Sequence, residues 1–362
     1  MEIKKIVVIH EYGEPSHYIG LSHYASKNNI PIEYRDFNIL KKLKINIRRK
    51  KYSAIYHCLY DFFWFLIVFL KPSLLKNTYC IIGIAPYDSM IIPINRILSK
   101  AKFTYHTSWL YWDGYNVPKK RFLFNAKIKN QWERFLQQSS SIATVTYEAK
   151  TNLNKYYPFT SDKTKVVYHA FDENIFKCNQ SKSNSFSIIF IGRIELYKGI
   201  QDIINLAIAR PSINFKVLGE GTQSTLLNDA EKKISNLHYK GYVGSKKVIS
   251  KYLNESDVIL LPSKKIEGWE ELFGIALIEA MACGCIPITT NHKGPVAILN
   301  STIYESFVLS ESEYEQNALA IIDKLCSDPA WRADLKLASV TLAKRYNLES
   351  ISELWKEVLK YD

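Results

Sequence analysis

What this sequence lacks removes several functions at once. It has no Gly-x-Gly-x-x-Gly loop after a first strand, so the fingerprint of a NAD-dependent enzyme is missing. It has no Asp-x-Asp pair to hold a divalent cation and no Cys-x-x-Cys pair. The cysteines, at 58, 80, 178, 283, 285 and 326, are scattered, and Cys283-Gly284-Cys285 is too tight for a zinc hook. Cysteines of this kind fit a reducing cytoplasm. No helix-turn-helix, zinc finger or RNP-like run points to nucleic acid. No secretory leader is expected, because Lys4 and Lys5 precede only a short apolar stretch, 6–9, that suits a strand. The apolar run at 56–70 stops short of the ~20 residues of a membrane span and contains Asp61. There is no internal repeat.

What remains is a globular chain with an uneven charge. Its 362 residues are 47% apolar and 13% aromatic, which excludes disorder and supplies two domains with a core each. Residues 1–181 carry 27 Lys/Arg against 13 Asp/Glu, a balance of +14, whereas 182–362 carry 21 against 22. The excess lies in the first half, where an anionic surface is expected to face it. With nucleic acid disfavoured, a membrane is the partner to test, against the plain alternative of a lysine-rich solvated face.

In the first half, 4–10 reads as a buried parallel strand. A turn-rich loop around Gly13 and a helical stretch follow, the opening of a Rossmann-like unit. Lys41, Lys42, Lys44, Arg48, Arg49, Lys50 and Lys51 form a basic cluster ahead of 56–70. That run fits either a core helix or a helix whose aromatic side dips into a bilayer interface while the cations meet anionic lipid. A second basic, aromatic-bearing stretch spans 119–134. His106, at the end of an expected strand, either faces the crevice where open α/β sheets bind ligands or caps a loop. Trp109 and Trp112 either offer their faces to a ligand or pack their loop on the core. A polar linker is expected at 174–185.

The second half opens with a strand at 187–191 that runs into Gly192-Arg193 and on to Lys198-Gly199. A glycine and two cations between a strand and a helix suit an anion. The stretch 270–284 reads as one helix, apolar almost all round and stopped by Gly284. Buried helices do not tolerate a bare carboxylate, yet Glu279 sits in its middle and Glu271 at its start. Eight residues of helix would set the two ~12 Å apart, about the reach from the ribose to the sugar of a nucleotide-sugar. The helix N-terminus, with Gly274 allowing close approach, suits a diphosphate.

These residues carry a resemblance. Glu271, seven residues, then Glu279, with Leu272-Phe273-Gly274 after the first and Ala280-Met281-Ala282-Cys283-Gly284 after the second, resemble the signature of family 4 retaining glycosyltransferases. The resemblance implies an α/β fold of the GT-B class, two Rossmann-like domains facing each other across a cleft. Residues 1–180, joined by a returning C-terminal helix at 345–362, would form the acceptor side, and 181–344 would hold the nucleotide-sugar. The resemblance also assigns roles. Glu279 binds the ribose; Glu271 with Leu272, Phe273, Gly274 and Ile275 holds the sugar. Arg193 and Lys198, beside Gly192, grip the diphosphate, and Gly221 and Val243 border the nucleotide. His106 touches the donor sugar, while Gly13, Trp109 and Trp112 face the acceptor. Catalysis would rest on Glu271, His106, Arg193 and Lys198.

By the same resemblance the reaction is retaining, without metal or cofactor, the nucleotide-sugar being a substrate and a UDP-sugar favoured over a GDP-sugar. The acceptor is a saccharide, in one form linked through a lipid diphosphate. The chain is then expected in the cytoplasm, peripheral on the inner face of an anionic membrane, in bacterial polysaccharide assembly. One position departs from the pattern: Ala297 stands where the family commonly has Glu. The competing readings are a non-catalytic GT-B partner subunit and a GT-B-fold epimerase or phosphorylase.

Overall fold

The computed structural model describes residues 3–13, 15–48, 50–114, 125–179 and 185–360. They divide into two units, Met1–Ala170 with Ile351–Asp362, and Phe171–Ser350.

The first unit is built on six parallel strands, β1 (Ile6–His10), β2 (Ile32–Asp36), β3 (Tyr79–Gly83), β4 (Lys102–Thr107), β5 (Ser141–Thr144) and β6 (Thr164–Val166). Their order is β2-β1-β3-β4-β5-β6. β1 is buried along its whole length and reads as a β-branched run without alternation, because a parallel sheet is covered on both faces. The helices are α1 (Ile19–Lys27), α2 (Ile39–Arg48), α3 (Tyr52–Leu70), α4 (Ile91–Ile97), α5 (Asn125–Gln138) and α6 (Tyr147–Tyr156). An aromatic core forms where Tyr105, Trp132 and Phe135 meet at ring separations of 5.3 Å. The second basic stretch therefore divides: 119–124 lies outside the described residues, and Trp132 belongs to the core rather than to a membrane-facing surface.

α3 resolves the choice left open at 56–70 against a core helix. Its inward side is narrow: Cys58 and Val68 are buried, with Asp61, Trp64 and Phe65 partly so. Tyr56, Tyr60, Phe62, Phe63, Ile67 and Leu70 are exposed. The one acidic residue of the helix turns inward, where Asp61 Oδ2 accepts the Asp36 backbone N–H at 3.2 Å. Arg35 lies over Tyr60 and Trp64, at 4.9 and 5.3 Å from the ring centroids. Among the described residues, α3 is the one helix long and apolar enough to cross a membrane.

The second unit has strands β7 (Ser187–Ile191), β8 (Asn214–Leu218), β9 (Leu237–Tyr239), β10 (Val258–Leu261), β11 (Ile286–Thr290) and β12 (Val308–Leu309), all parallel, in the order β12-β11-β10-β7-β8-β9. Its helices are α7 (Ile200–Ala209), α8 (Ser224–Glu231), α9 (Lys246–Asn254), α10 (Ile275–Ala282), α11 (Lys293–Leu299), α12 (Tyr314–Ser327) and α13 (Pro329–Ala343). The crossing into this unit falls at 170/171, ahead of the 180/181 expected. Residues 171–179 are bound to it: Ser250 Oγ donates to the Ile175 carbonyl at 2.6 Å, and Asn254 bonds both Lys177 and Asn179. Of the expected linker, only 180–184 lies outside the described residues. The last helix, α14 (Leu348–Leu359), joins the first unit from Ile351 on. Ile351 packs where a Cβ on Gly20 would come within 2.7 Å of it, and Trp355 is buried beside Tyr18.

Candidate functional site

Open parallel sheets bind ligands beyond the carboxyl ends of their strands, at the point where the strand order reverses. In the second unit, connections leave β7 for β8 on one side and reach β10 on the other, so the reversal lies between β7 and β10. The loop after β7 carries Gly192, Arg193 and Lys198; the segment after β10 carries Glu271 to Gly274 and leads into α10. Topology thus brings the two sequence motifs to one end of one sheet.

The geometry of that end departs from the sequence reading in one respect. The stretch 270–284 is not one helix: α10 starts at Ile275, and Glu271 lies in the preceding loop. The reason is local. Gly274 is left-handed, with φ 93° and ψ 67°, which ends any continuation of the helix towards Glu271. The loop is pinned instead to α11 and its cap: the Glu271 N–H donates to His292 Nδ1 at 3.0 Å, and the Gly294 N–H donates to the Glu271 carbonyl at 2.8 Å. A helical rise between Glu271 and Glu279 therefore does not apply.

Lys198 Nζ and Glu271 Oε2 are 2.5 Å apart, both largely shielded. Lys198 also lies 4.6 Å from the Trp269 ring centroid, Trp269 is 4.3 Å from Tyr197, and Arg193 sits 5.6 Å from the Tyr197 ring. Two cations, one carboxylate and two aromatic rings thus form a connected cluster after β7 and β10. Gly221 lies against the Ile194 carbonyl, where a Cβ would come within 2.3 Å, so only glycine lets the two loops approach. Phe273 is buried, its ring meets Tyr346 at 5.8 Å, and its backbone packs against Gly294. Leu272, Gly274 and Ile275 are half-buried and lead to the first turn of α10, where the Leu277 N–H donates to the Gly274 carbonyl at 3.0 Å.

Glu279 is buried in α10 and its carboxyl titrates above the usual range, because desolvation disfavours its charge; Lys246, with Nζ 3.5 Å from Oε1, works against that shift. Lys246 begins α9, three residues after the half-buried Val243, so the segment between β9 and α9 delivers Lys246 to this carboxylate. Sequence reasoning missed Lys246, His292, Tyr197 and Trp269. Tyr197 directly precedes Lys198 and Trp269 directly precedes the stretch 270–284, so these two adjoin quoted motifs; Lys246 and His292 join them only once the fold gathers them.

The first unit holds a different cluster. His106, near the end of β4, is buried, with Nδ1 3.1 Å from the Tyr18 hydroxyl. His17 lies 5.7 Å from it and 5.2 Å from His169, and His10 is 5.1 Å from His17. Desolvation lowers the His106 and His169 pKa values well below the ordinary range, with the neighbouring His17 adding to it, and brings His17 down to about 4. These three imidazoles are neutral at pH 7. Among the described residues no three His, Cys, Asp or Glu side chains gather as a metal site. Gly13, with φ 74°, turns the chain after β1, its N–H donating to the His10 carbonyl at 3.3 Å. Trp109 is half-buried and donates its indole N–H to the Tyr111 carbonyl at 2.5 Å. Trp112 is not available to an acceptor. It is buried, stacked on Trp132 and edge-on to Tyr105 and Tyr157, so burial of its large ring won over exposure in the loop.

Residues 171–339, which lie in the second unit, match the family model of glycosyl transferases group 1. The fold of the chain is the α/β fold of the GT-B class. It is shared with Anabaena HepE, solved with UDP and glucose, at a TM-score of 0.67 and 15% identity over 99% of each chain. Among curated proteins, it is 29% identical over 212 residues to an uncharacterized 41.2 kDa protein in the cps region of Klebsiella pneumoniae, covering 55% of this chain and 54% of that one. It is 26% identical over 188 residues to the alpha-galactosylglucosyldiacylglycerol synthase of Streptococcus pneumoniae, covering 48% and 45%. The chain spans about half the length of these curated relatives.

Proposed function

We propose that this protein is a retaining, metal-independent glycosyltransferase that moves a sugar from a UDP-sugar to a saccharide acceptor, in one form linked to a lipid diphosphate. The observation that carries this reading is the convergence of Arg193, Lys198, Glu271 and the α10 N-terminus at the carboxyl end of one parallel sheet, with Glu279 in the helix that follows. The carboxylate of Glu279 accepts two ribose hydroxyls, which repays its burial. Glu271 holds the sugar. Arg193, Lys198 and the α10 N-terminus stabilise the charge that grows on the departing UDP, the work a metal ion does elsewhere. Catalysis then needs no nucleophilic side chain: the acceptor oxygen attacks from the leaving-group side, and a UDP phosphate oxygen takes its proton. The UDP and glucose bound by HepE support this donor class.

The setting we infer is the cytoplasmic face of an anionic membrane, in bacterial surface-polysaccharide assembly. The exposed aromatic side of α3 and the cations of α2 support surface contact, since an apolar face flanked by lysines is the pattern of an interfacial helix. The inward bonds of Asp61 and the Arg35 contacts favour lying on the bilayer over spanning it. A relative from a cps region and one named for a diacylglycerol glycolipid support such acceptors.

The test is turnover of a nucleotide-sugar panel, with the anomeric configuration of the product read by NMR and EDTA present in a parallel arm. Absence of any turnover, or Glu279→Ala and Arg193→Ala variants that match wild type, ends the assignment. Co-sedimentation with phosphatidylglycerol vesicles tests the membrane setting separately.

A further inference from the structure

Between α2, α3 and α4 lies a groove of about 470 Å³, within the size range of small-molecule sites. Its walls include Phe65, Leu66 and Phe69 of α3, Ile94 and Ile97 of α4, and Ile39 of α2. Two polar residues also line it, Asn38 and Asp88, and Asp88 Oδ1 is turned onto the Met90 N–H at 2.9 Å. The groove has no set of convergent polar groups to orient a sugar or nucleotide. It is open to the exposed face of α3, because Phe62, Leu66 and Phe69 line it and are also exposed at 44%, 43% and 36%. Leu40, 76% exposed, stands at the same mouth.

Charge surrounds this apolar slot. Lys41 follows Leu40 directly, and Arg96 lies 4.9 Å from the ring centroid of Phe69 while its Nε donates to the Phe69 carbonyl at 3.0 Å. From 37 to 60 the chain has seven Lys/Arg and no Asp/Glu. A second copy of the chain is a poor occupant, since a two-fold contact through α3 would set two such clusters against each other.

We propose that this groove takes one acyl chain of an anionic membrane lipid, drawn out of the bilayer beside α3, with its phosphate meeting Lys41 or Arg96. The proposal rests on the surface contact inferred above and goes beyond it, from a helix lying on a membrane to a lipid-binding site in the fold. The driving force is not transfer from water, because a lipid tail is already in an apolar medium. With α3 set in the interface the groove would otherwise stay a void or hold poorly bonded water, and a hydrocarbon chain restores the missing dispersion contacts. The lipid becomes a wedge that fixes α3 against α4.

The experiment uses the full chain with vesicles of phosphatidylcholine and phosphatidylglycerol, the latter carrying a photoactivatable diazirine midway along one acyl chain. After irradiation, labelled peptides are mapped by mass spectrometry, and co-sedimentation is measured in parallel. The expected result is label on Ile39, Phe65 and Ile94, lost in a Met90→Trp variant that narrows the groove, with sedimentation retained. Label confined to outward residues such as Phe63 and Ile67, with sedimentation intact, overturns the groove and leaves surface contact standing. Unchanged groove label in Met90→Trp also overturns it. No sedimentation ends the surface reading and the groove together. A solution dimer that shields Leu66 assigns the slot to a second copy and overturns the proposal.

Discussion

Lys198 and Glu271 close on each other at 2.5 Å, a cation from the loop after β7 and a carboxylate from the loop after β10. In the proposed reaction the same cation must serve a diphosphate and the same carboxylate a sugar, so the pair opens when donor binds. Glu271→Gln should therefore tighten UDP while slowing transfer, because the carboxylate that competes for Lys198 is gone but so is the sugar ligand. Lys198→Ala should lower kcat by about 10²–10³, the usual cost of one charge-stabilising donor. Titration calorimetry with UDP and steady-state kinetics check the two; a Glu271→Gln variant that binds UDP more weakly sinks the competition.

Glu279 predicts a pH dependence of donor binding. Its pKa is raised by burial and lowered by Lys246, and its carboxylate is the form that accepts ribose hydroxyls. UDP affinity should fall as pH drops through that raised pKa, above the range of an ordinary carboxylate. Lys246→Ala should move this limb to still higher pH. Binding measured between about pH 5 and 8 reads the shift; a limb that stays put means Lys246 does not act on Glu279.

The histidine cluster predicts acid sensitivity. His17, His106 and His169 have folded pKa values below the unfolded one, so the folded state binds fewer protons once pH falls under about 6.5. The stability they contribute is complete above that value and is lost as pH falls through about 4, where His17 titrates. Each histidine that gains its proton only on unfolding adds a slope of about 1.4 kcal/mol per pH unit. Melting temperature should decline steeply between these values, and less so in His169→Gln. A flat profile would contradict the burial of the cluster.

Gly274 and Trp112 predict stability changes of different kinds. Gly274→Ala forces a side chain into the left-handed region at about 1–2 kcal/mol and should raise the donor KM as the α10 entry shifts. Trp112→Ala should cost about 3–5 kcal/mol, the range for removing a large buried ring. Chemical denaturation measures both; a Trp112→Ala variant of native stability with altered acceptor KM would return Trp112 to the acceptor side.

By itself the sequence determined the composition of the strands and the residue types of the candidate donor site. Continuous β-branched runs such as 6–9 suit strands covered on both faces, and Gly192-Arg193, Lys198, Glu271 and Glu279 are local motifs legible from their residue types. Tertiary structure decided what periodicity cannot express. Gly274 could have been a mid-helix glycine; the bonds of His292 and Gly294 to Glu271 hold the preceding segment as a loop. Trp112 and the side chains of α3 are equally apolar in sequence, yet one is sealed by Trp132 and most of the others are left outside, because burial depends on which neighbours the sheet brings up. Lys246 and Glu279 lie 33 residues apart, and the four histidines come from β1, the segment after it, β4 and the segment after β6. Such clusters exist only once parallel strands have aligned their carboxyl ends, since a contact between distant segments leaves no local pattern to read.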